Sequence, residues 1–271
     1  MIMRGPSAEA MAALSDQLGA AIAEVGSRKT AQVGDDLFEV AALLRATPSL
    51  RRVLTDVSIE GEAKATLARE VFADRVDPVS LDLVSAAAAR RWRTTRDLPD
   101  ALESLSEVAT VRSADANVGR VGDELFAFAQ AVSGNPGLRD ALSDPGRSVD
   151  DKAALVDSLI GTKALAATVT LAKQSLAGTY RTVGVALTAY QQVVARVQEQ
   201  RVATVRVAQP LSETDHTRLG AALSRQYGRD VHLNVVVEPG LIGGIRVEIG
   251  DDVIDGSVAS RLADARRRLA G

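Results

Sequence analysis

The pattern of apolar and polar residues is helical over most of this chain. Apolar residues recur at the i, i+3, i+4, i+7 spacing of one buried helix face, most clearly at residues 37–44 and again at 125–132. Thr47-Pro48 and Asn135-Pro136 interrupt these patterns, because proline disfavours helical geometry in the residue before it. Each proline suits the first turn of a following helix. The pattern therefore predicts mainly α structure up to about residue 200.

The helical part also repeats itself with a shift of 88 residues. Between positions 33 and 56, eleven of the 24 residues are identical at the shifted position, with no gap. Further along, Trp92-Arg93-Thr94 aligns with Tyr180-Arg181-Thr182. The identities include glycine, phenylalanine and proline, so coincidence among Ala-rich helices is a poor explanation. Two related helical units in tandem are predicted.

The predicted helices place one element at the boundary of the two units. The shift aligns a helix at 60–72 with one at 149–160, and a helix at 78–92 with one at 163–180. A helix at 98–112 closes the first unit and also stands where the second unit needs its first helix. Another, at 183–200, closes the second unit. We therefore predict two tandem six-helix-type bundles that share a boundary helix.

The pattern changes near residue 200 to a small α+β module. Residues 201–207 alternate at period two and predict a strand, and further strands are predicted at 231–237 and 245–249. Ser212 and Asp215 form a capping box at the start of a helix that ends near Tyr227. A last helix is predicted at 258–269. The predicted domains are 1–97, 98–200 and 201–271.

Composition limits the chemistry that the chain can perform. Its 271 residues contain no cysteine, only two histidines, 3% aromatic residues and a formal net charge of −3. Disulfides, thiolate catalysis and Cys-ligated metals are excluded. The charge balance does not favour nucleic acid. No apolar run approaches the roughly 18 residues that span a bilayer, so we expect no direct membrane insertion.

A compact motif joins the last strands to the predicted last helix. Pro239 ends a strand because it cannot donate to the ladder, and adjacent glycines permit backbone angles closed to other residues. Its signature residues are Pro239, Leu241, Ile242, Gly243, Gly244, Asp255, Gly256 and Ser257. The motif resembles the C-terminal signature of the ATP synthase delta subunit family, whose mitochondrial members are called the oligomycin sensitivity-conferring protein.

This resemblance implies a fold and a role. It implies a family-type C-terminal domain over 201–271, preceded by a six-helix domain at about 98–198. The first repeat is extra and looks like a duplicate of that domain, a form associated with actinobacterial relatives. The family is non-catalytic and needs no cofactor. It belongs to the peripheral stalk, or stator, at the cytoplasmic face of the bacterial plasma membrane, and it links the catalytic head to the stalk.

The resemblance also implies partners, namely the N-terminal helices of alpha subunits for the helical domain and the b-type stalk subunit for the C-terminal domain. The alternative is a helical-repeat adaptor that binds amphipathic helices of an unrelated complex. An enzyme is the least favoured class, since no Ser-His-Asp or paired-carboxylate arrangement is present to carry catalysis.

Other short motifs indicate a function only weakly. Residues 240–243 have the GxxG spacing of an RNA-binding KH loop, but they lie between predicted strands and beside Glu238. The Walker pattern is absent. Asp251, Asp252 and Asp255 lack the ligand spacing of a calcium loop, so turn and cap roles are favoured. No catalytic, cofactor or metal residue is predicted.

A basic cluster surrounds the single tryptophan. It comprises Arg90, Arg91, Arg93 and Arg96 around Trp92, and its counterpart in the second repeat keeps only Arg181. A solvated helix end is the favoured interpretation, with a partner surface or an anionic patch as alternatives. Lys64 and Lys152 align in the two repeats, which indicates an ion pair or a shared structural role.

Overall fold

The computed structural model describes residues 3–199, 202–227, 231–238, 241, 243–249 and 252–255. The chain divides into two compact units, Met1–Val194 and Ala195–Gly271. The first unit is helical and contains both repeats, and the second contains a small sheet. The predicted class, mainly α with a small α+β module, is confirmed. The predicted division of the helical part at residue 97 stays a prediction.

The first unit is built from eleven α-helices in the described part of the chain. The first repeat consists of α1 (Pro6–Ala23), α2 (Ser27–Ala46), α3 (Pro48–Thr55), α4 (Gly61–Phe72), α5 (Pro78–Ala89) and α6 (Asp97–Arg112). The second repeat uses α6 again and adds α7 (Val118–Gly134), α8 (Pro136–Ser143), α9 (Val149–Ile160), α10 (Ala166–Gln174) and α11 (Val183–Glu199), whose last residues pass into the second unit.

The helix positions support the duplication. Both ends of α8 and α9 lie 88 residues after the ends of α3 and α4. Pro48 and Pro136 each occupy the first turn of their helix. The residues before them have similar backbone angles, with φ −120° and ψ 80° at Thr47 and φ −121° and ψ 100° at Asn135. The two prolines therefore perform the same local role in both repeats.

Two equivalent glycines show that the repeats also pack alike. Gly34 of α2 lies against α6, where an added Cβ would be 2.5 Å from Thr110 Oγ1 and 3.3 Å from Ser106 O. Its counterpart Gly122 of α7 lies against α11, where a Cβ would be 3.1 Å from Val194 Cγ1. In each repeat the second helix thus approaches the closing helix closely at a residue without a side chain.

Helix α1 is not predicted by the sequence pattern. Its buried side chains Leu14, Leu18 and Ile22 follow one another every four residues and belong to the core of the first repeat. Alanines surround this stripe, and several of them are exposed or half-buried. The contrast between the two faces is therefore weak, which hides the helical period in the sequence.

The shared helix α6 lies at the centre of the first unit. Twelve of its sixteen residues are buried. One set of them completes the apolar core of the first repeat, namely Leu98, Ala101, Leu102, Leu105 and Ala109. The same helix contacts α7 and α10 of the second repeat. It therefore belongs to both bundles, as the sequence predicted.

The second unit contains a four-stranded sheet among its described residues. The elements of this unit are β1 (Val202–Val207), α12 (Glu213–Tyr227), β2 (His232–Val237), β3 (Ile245–Ile249) and β4 (Asp252–Asp255). The strand order is β2-β1-β3-β4, with β1 and β2 parallel and the other pairs antiparallel. Apolar side chains from the strands and α12 form its core, including Val205, Val247 and Leu223.

Local predictions for this unit are confirmed in part. The backbone N–H of Asp215 donates to Ser212 Oγ over 3.1 Å, as expected of the capping box. The sequence pattern does not predict strand β4, because it places Asp252 in a turn and Asp255 at the start of a helix. In the structure both belong to β4, whose Ile254 pairs with Val247 of β3. A strand of only four residues is too short to show a clear alternation of apolar and polar residues. The predicted last helix lies outside the described residues.

Candidate functional site

The glycine turn of the predicted signature leads into the sheet. Gly243 and Gly244 have φ of 143° and 90°, which confirms the predicted left-handed backbone. Before them, the N–H of Glu238 donates to Val207 O over 2.8 Å and the N–H of Leu241 donates to Glu238 O over 3.1 Å. Of the other signature residues, Asp255 ends β4, whereas Pro239, Ile242, Gly256 and Ser257 lie outside the described residues.

We expect Gly244→Val to destabilise the second unit by about 1–2 kcal/mol, because a side chain at positive φ clashes with its own backbone. Urea unfolding followed by circular dichroism measures this change. Gly184→Val is the matched control, since Gly184 lies in α11 with open space at its Cα. Equal unfolding midpoints for the two variants would disprove the requirement for glycine at the turn.

A row of buried carboxylates on α6 faces the second repeat. Asp100, Glu103 and Glu107 recur at helical spacing and are 7%, 1% and 3% exposed. The Glu103 carboxylate pairs with Arg45 of α2 and also accepts a hydrogen bond from the backbone N–H of Thr179 over 2.8 Å. Glu107 accepts one from Tyr180 Oη over 2.9 Å. These contacts join the first repeat to the segment that follows α10.

The electrostatics of this row reflect its burial. Burial raises the pKa of Asp100 and of Glu103, although the Arg45 guanidinium opposes the rise at both carboxylates. Arg45 is held in place by the Phe38 ring, whose centre lies 5.9 Å from its guanidinium carbon. An added Cβ at Gly178 would overlap Glu103 Oε1, so a side chain at this position would displace the carboxylate. The row is therefore a built junction between the repeats.

Sequence reasoning did not find this junction. No motif or repeat in the sequence singles out these carboxylates. The signal that could have found them is their position on the shared helix, opposite Leu98, Leu102 and Leu105. A helix that belongs to two bundles has to bury two faces, so polar residues on its second face need partners.

The second repeat presents exposed apolar side chains on several helices. Phe126 of α7 is 55% exposed, Val149 of α9 is 47% exposed and Val185 of α11 is 52% exposed. Phe38 is the counterpart of Phe126 in the first repeat. It is less exposed than Phe126, and the Arg45 guanidinium lies over its ring. These three side chains lie on three different helices and are accessible for apolar contact with another protein.

The predicted basic cluster is a helix end with a buried anchor. Arg90, Arg91, Arg93 and Arg96 are exposed, and Arg90 caps the end of α5. Trp92 is only 4% exposed, and its Nε1–H donates to Ala87 O over 2.9 Å. Among the described residues, no group of three His, Cys, Asp or Glu side chains is placed to hold a metal ion.

Comparison with known proteins decides the family. The family model described as ATP synthase delta (OSCP) subunit matches residues 103–269. The ATP synthase subunit delta of a Nocardioides species is 52% identical, and the match covers 99% of this chain and 98% of that protein. The chain belongs to the ATP synthase delta (OSCP) family. The adaptor alternative is therefore not favoured.

Other relatives in the family share the full length of this chain. The delta subunits of Kineococcus radiotolerans and Streptomyces avermitilis are 43% and 42% identical, with the whole of this chain covered in each match and 97% and 100% of the relatives. The family model begins at residue 103, whereas these full-length matches include the first repeat. The predicted actinobacterial-type form with an added helical repeat is confirmed.

Proposed function

We propose that the chain links the catalytic head of ATP synthase to a b-type stalk subunit through its two compact units. Membership in the delta family makes it a stator subunit of the peripheral stalk. The observation that carries the finer proposal is the division of the chain into a helical unit and a separate sheet-containing unit. A linker between two assemblies needs two independent binding surfaces and no catalytic group.

The helical unit is proposed to bind N-terminal helices of alpha subunits. An amphipathic helix binds by placing its apolar face against a matching surface on a helical bundle. In the second repeat, Phe126 and Val185 provide exposed apolar contacts of the required kind. The carboxylates of α6 are buried within the unit, so they contribute to its rigidity and not to this surface.

The C-terminal unit is proposed to hold the b-type stalk. The signature residues lie in this unit, and the family match extends through it to residue 269. Ile254 of β4 is 38% exposed and offers an apolar contact at the side of the sheet. No helix in the described part of the chain is long and apolar enough to cross a bilayer. We propose a peripheral position on the cytoplasmic face of the membrane, held there by the complex.

A reciprocal pair of variants tests this assignment of surfaces. We expect Phe126→Ser to weaken binding of an alpha N-terminal peptide about tenfold, the effect of losing roughly 1.4 kcal/mol of contact energy, and to leave binding of the b C-terminal segment unchanged. Ile254→Ser should do the reverse. Both side chains are exposed, so neither change should unfold the chain. Titration calorimetry with the two peptides measures both affinities.

The same experiment can contradict the proposal. If both variants weaken the same partner, the two units do not divide the binding as proposed. If neither variant changes either affinity, the exposed apolar residues are not the contacts.

Addition of wild-type chain should leave ATP hydrolysis by the isolated head intact, since the proposed role is mechanical, and inhibition would argue for a different function.

A further inference from the structure

A cleft in the first repeat lies outside the surfaces considered so far. It has a volume of about 320 Å³ and opens where the loop before α4 meets the end of α5. Glu60, Gly61, Lys64, Ala89 and Arg91 line it. Neither the junction on α6 nor the proposed contacts of the second repeat include these residues, so the cleft needs an explanation of its own.

A buried ammonium group and an exposed guanidinium share this cleft. Lys64 is 2% exposed, and its Nζ donates to Arg90 O over 3.2 Å. An ammonium group has three donors, so this contact leaves it capacity for an anion. Burial lowers the pKa of Lys64, the Asp56 carboxylate raises it, and the nearby Arg91 lowers it by a smaller amount than Asp56 raises it. An anion between the two cations would relieve their repulsion.

Gly61, the first residue of α4, also lines this cleft. Within the described structure, no side chain caps this end of α4, where Glu60 is the residue before the helix. The backbone N–H groups of the first turn have no partner inside a helix and favour an anion. In the second repeat the equivalent helix α9 is capped, since the N–H of Asp151 donates to Ser148 Oγ over 3.0 Å.

The second repeat also lacks the cation opposite this helix end. The residue equivalent to Arg91 is Thr179, whose backbone N–H is bound to Glu103 of α6. The first repeat therefore combines an uncapped helix start with a buried lysine beside an exposed arginine, and an open cleft connects them. Together these are the elements of an oxyanion site.

We propose that this cleft binds a phosphate group, supplied either by inorganic phosphate or by a small nucleoside phosphate. Arg91 and Lys64 contact the phosphate oxygens, and the first N–H groups of α4 complete the site. Its volume is at the lower end of the range for ligand pockets, which suits a small ligand. Glu60 lies in the same cleft and opposes the anion, so its charge limits the affinity.

Titration of the full chain with inorganic phosphate at low ionic strength tests the site. Calorimetry should detect binding, and the backbone amide signals of Gly61, Glu62 and Ala63 should shift in NMR spectra. A parallel titration with AMP identifies the source of the phosphate group. Binding of AMP at least tenfold tighter than inorganic phosphate indicates a nucleoside phosphate, and similar affinities indicate the free ion.

Variants that remove either a positive or a negative charge from the cleft distinguish specific phosphate binding from general electrostatic attraction. Arg91→Gln should weaken phosphate binding about tenfold, because it removes a charge-assisted contact, and Glu60→Gln should strengthen it. Arg96→Gln is the matched control, since Arg96 is exposed and does not line the cleft. Lys64→Met should also weaken binding, with circular dichroism to check that α5 is intact.

Two outcomes overturn the proposal. One is the absence of phosphate binding at about 10 mM, a concentration at which even a weak specific site with a millimolar Kd is mostly occupied. The other is an equal loss of affinity in Arg91→Gln and Arg96→Gln, with no gain in Glu60→Gln. The latter pattern would show that the anion responds to net charge and not to the cleft.

Discussion

A chain of residues 97–271 should fail to fold as a stable monomer, whereas a chain of residues 1–114 should fold. The reason is that the two faces of the shared helix α6 differ in chemistry. Its face toward the first repeat is apolar and completes that core. Its face toward the second repeat carries Asp100, Glu103 and Glu107, which tolerate water. The cut before α6 therefore exposes an apolar face, and the cut after it exposes carboxylates.

The expected effect is large. Leu98, Leu102 and Leu105 are at most 1% exposed in the full chain, and burial of one such side chain contributes about 1.5–3 kcal/mol. Loss of the three contributions approaches the whole free energy of unfolding of a typical domain, about 5–15 kcal/mol. The first repeat is therefore expected to support the fold of the second.

Size-exclusion chromatography and urea unfolding of the two fragments measure this asymmetry. The fragment 1–114 should elute as a monomer and unfold cooperatively, and the fragment 97–271 should aggregate or show no cooperative transition in its helical part. From sequence alone, residues 98–200 look like a complete family-type domain. A cooperative, monomeric 97–271 fragment would support that interpretation and contradict ours.

Glu103→Ala should lower the free energy of unfolding by about 3 kcal/mol, the scale observed when one partner of a buried ion pair is removed. The change leaves the guanidinium of Arg45 without its carboxylate and the Thr179 N–H without its acceptor. Urea unfolding monitored by circular dichroism provides the measurement.

Two controls define the origin of this loss. Glu62→Ala removes an exposed carboxylate that pairs with Arg69 over 3.5 Å, and such surface pairs contribute about 0–1 kcal/mol. The double variant Arg45→Met, Glu103→Leu removes both charges together and should be more stable than Glu103→Ala alone. If Glu103→Ala loses no more stability than Glu62→Ala, the junction is not held by its carboxylates.

The elements that the sequence predicted well are those that begin or end at proline, glycine or helix-capping residues. Pro48 and Pro136 mark the starts of α3 and α8, and the capping box marks the start of α12. The positive φ angles of the glycine turn are expected from its two adjacent glycines, because other residues rarely adopt such angles. Each of these features depends on residues close together in the chain, which a single sequence displays directly.

The elements that it missed depend on residues far apart. Strand β4 is defined by its pairing with β3, and the stripe of α1 is hidden among alanines. The partners of Glu103 lie 58 and 76 residues away, at Arg45 and Thr179. A polar residue on a helix looks the same in sequence whether its face meets solvent or another bundle, so only the fold distinguishes them.

The shared helix also determines how such a chain can grow. Because α6 closes one bundle and opens the next, the duplication adds five helices, α7 to α11, and not six. Each increment of 88 residues therefore joins the preceding copy through a helix that both copies share. A third copy inserted at the same place would add five further helices in the same way.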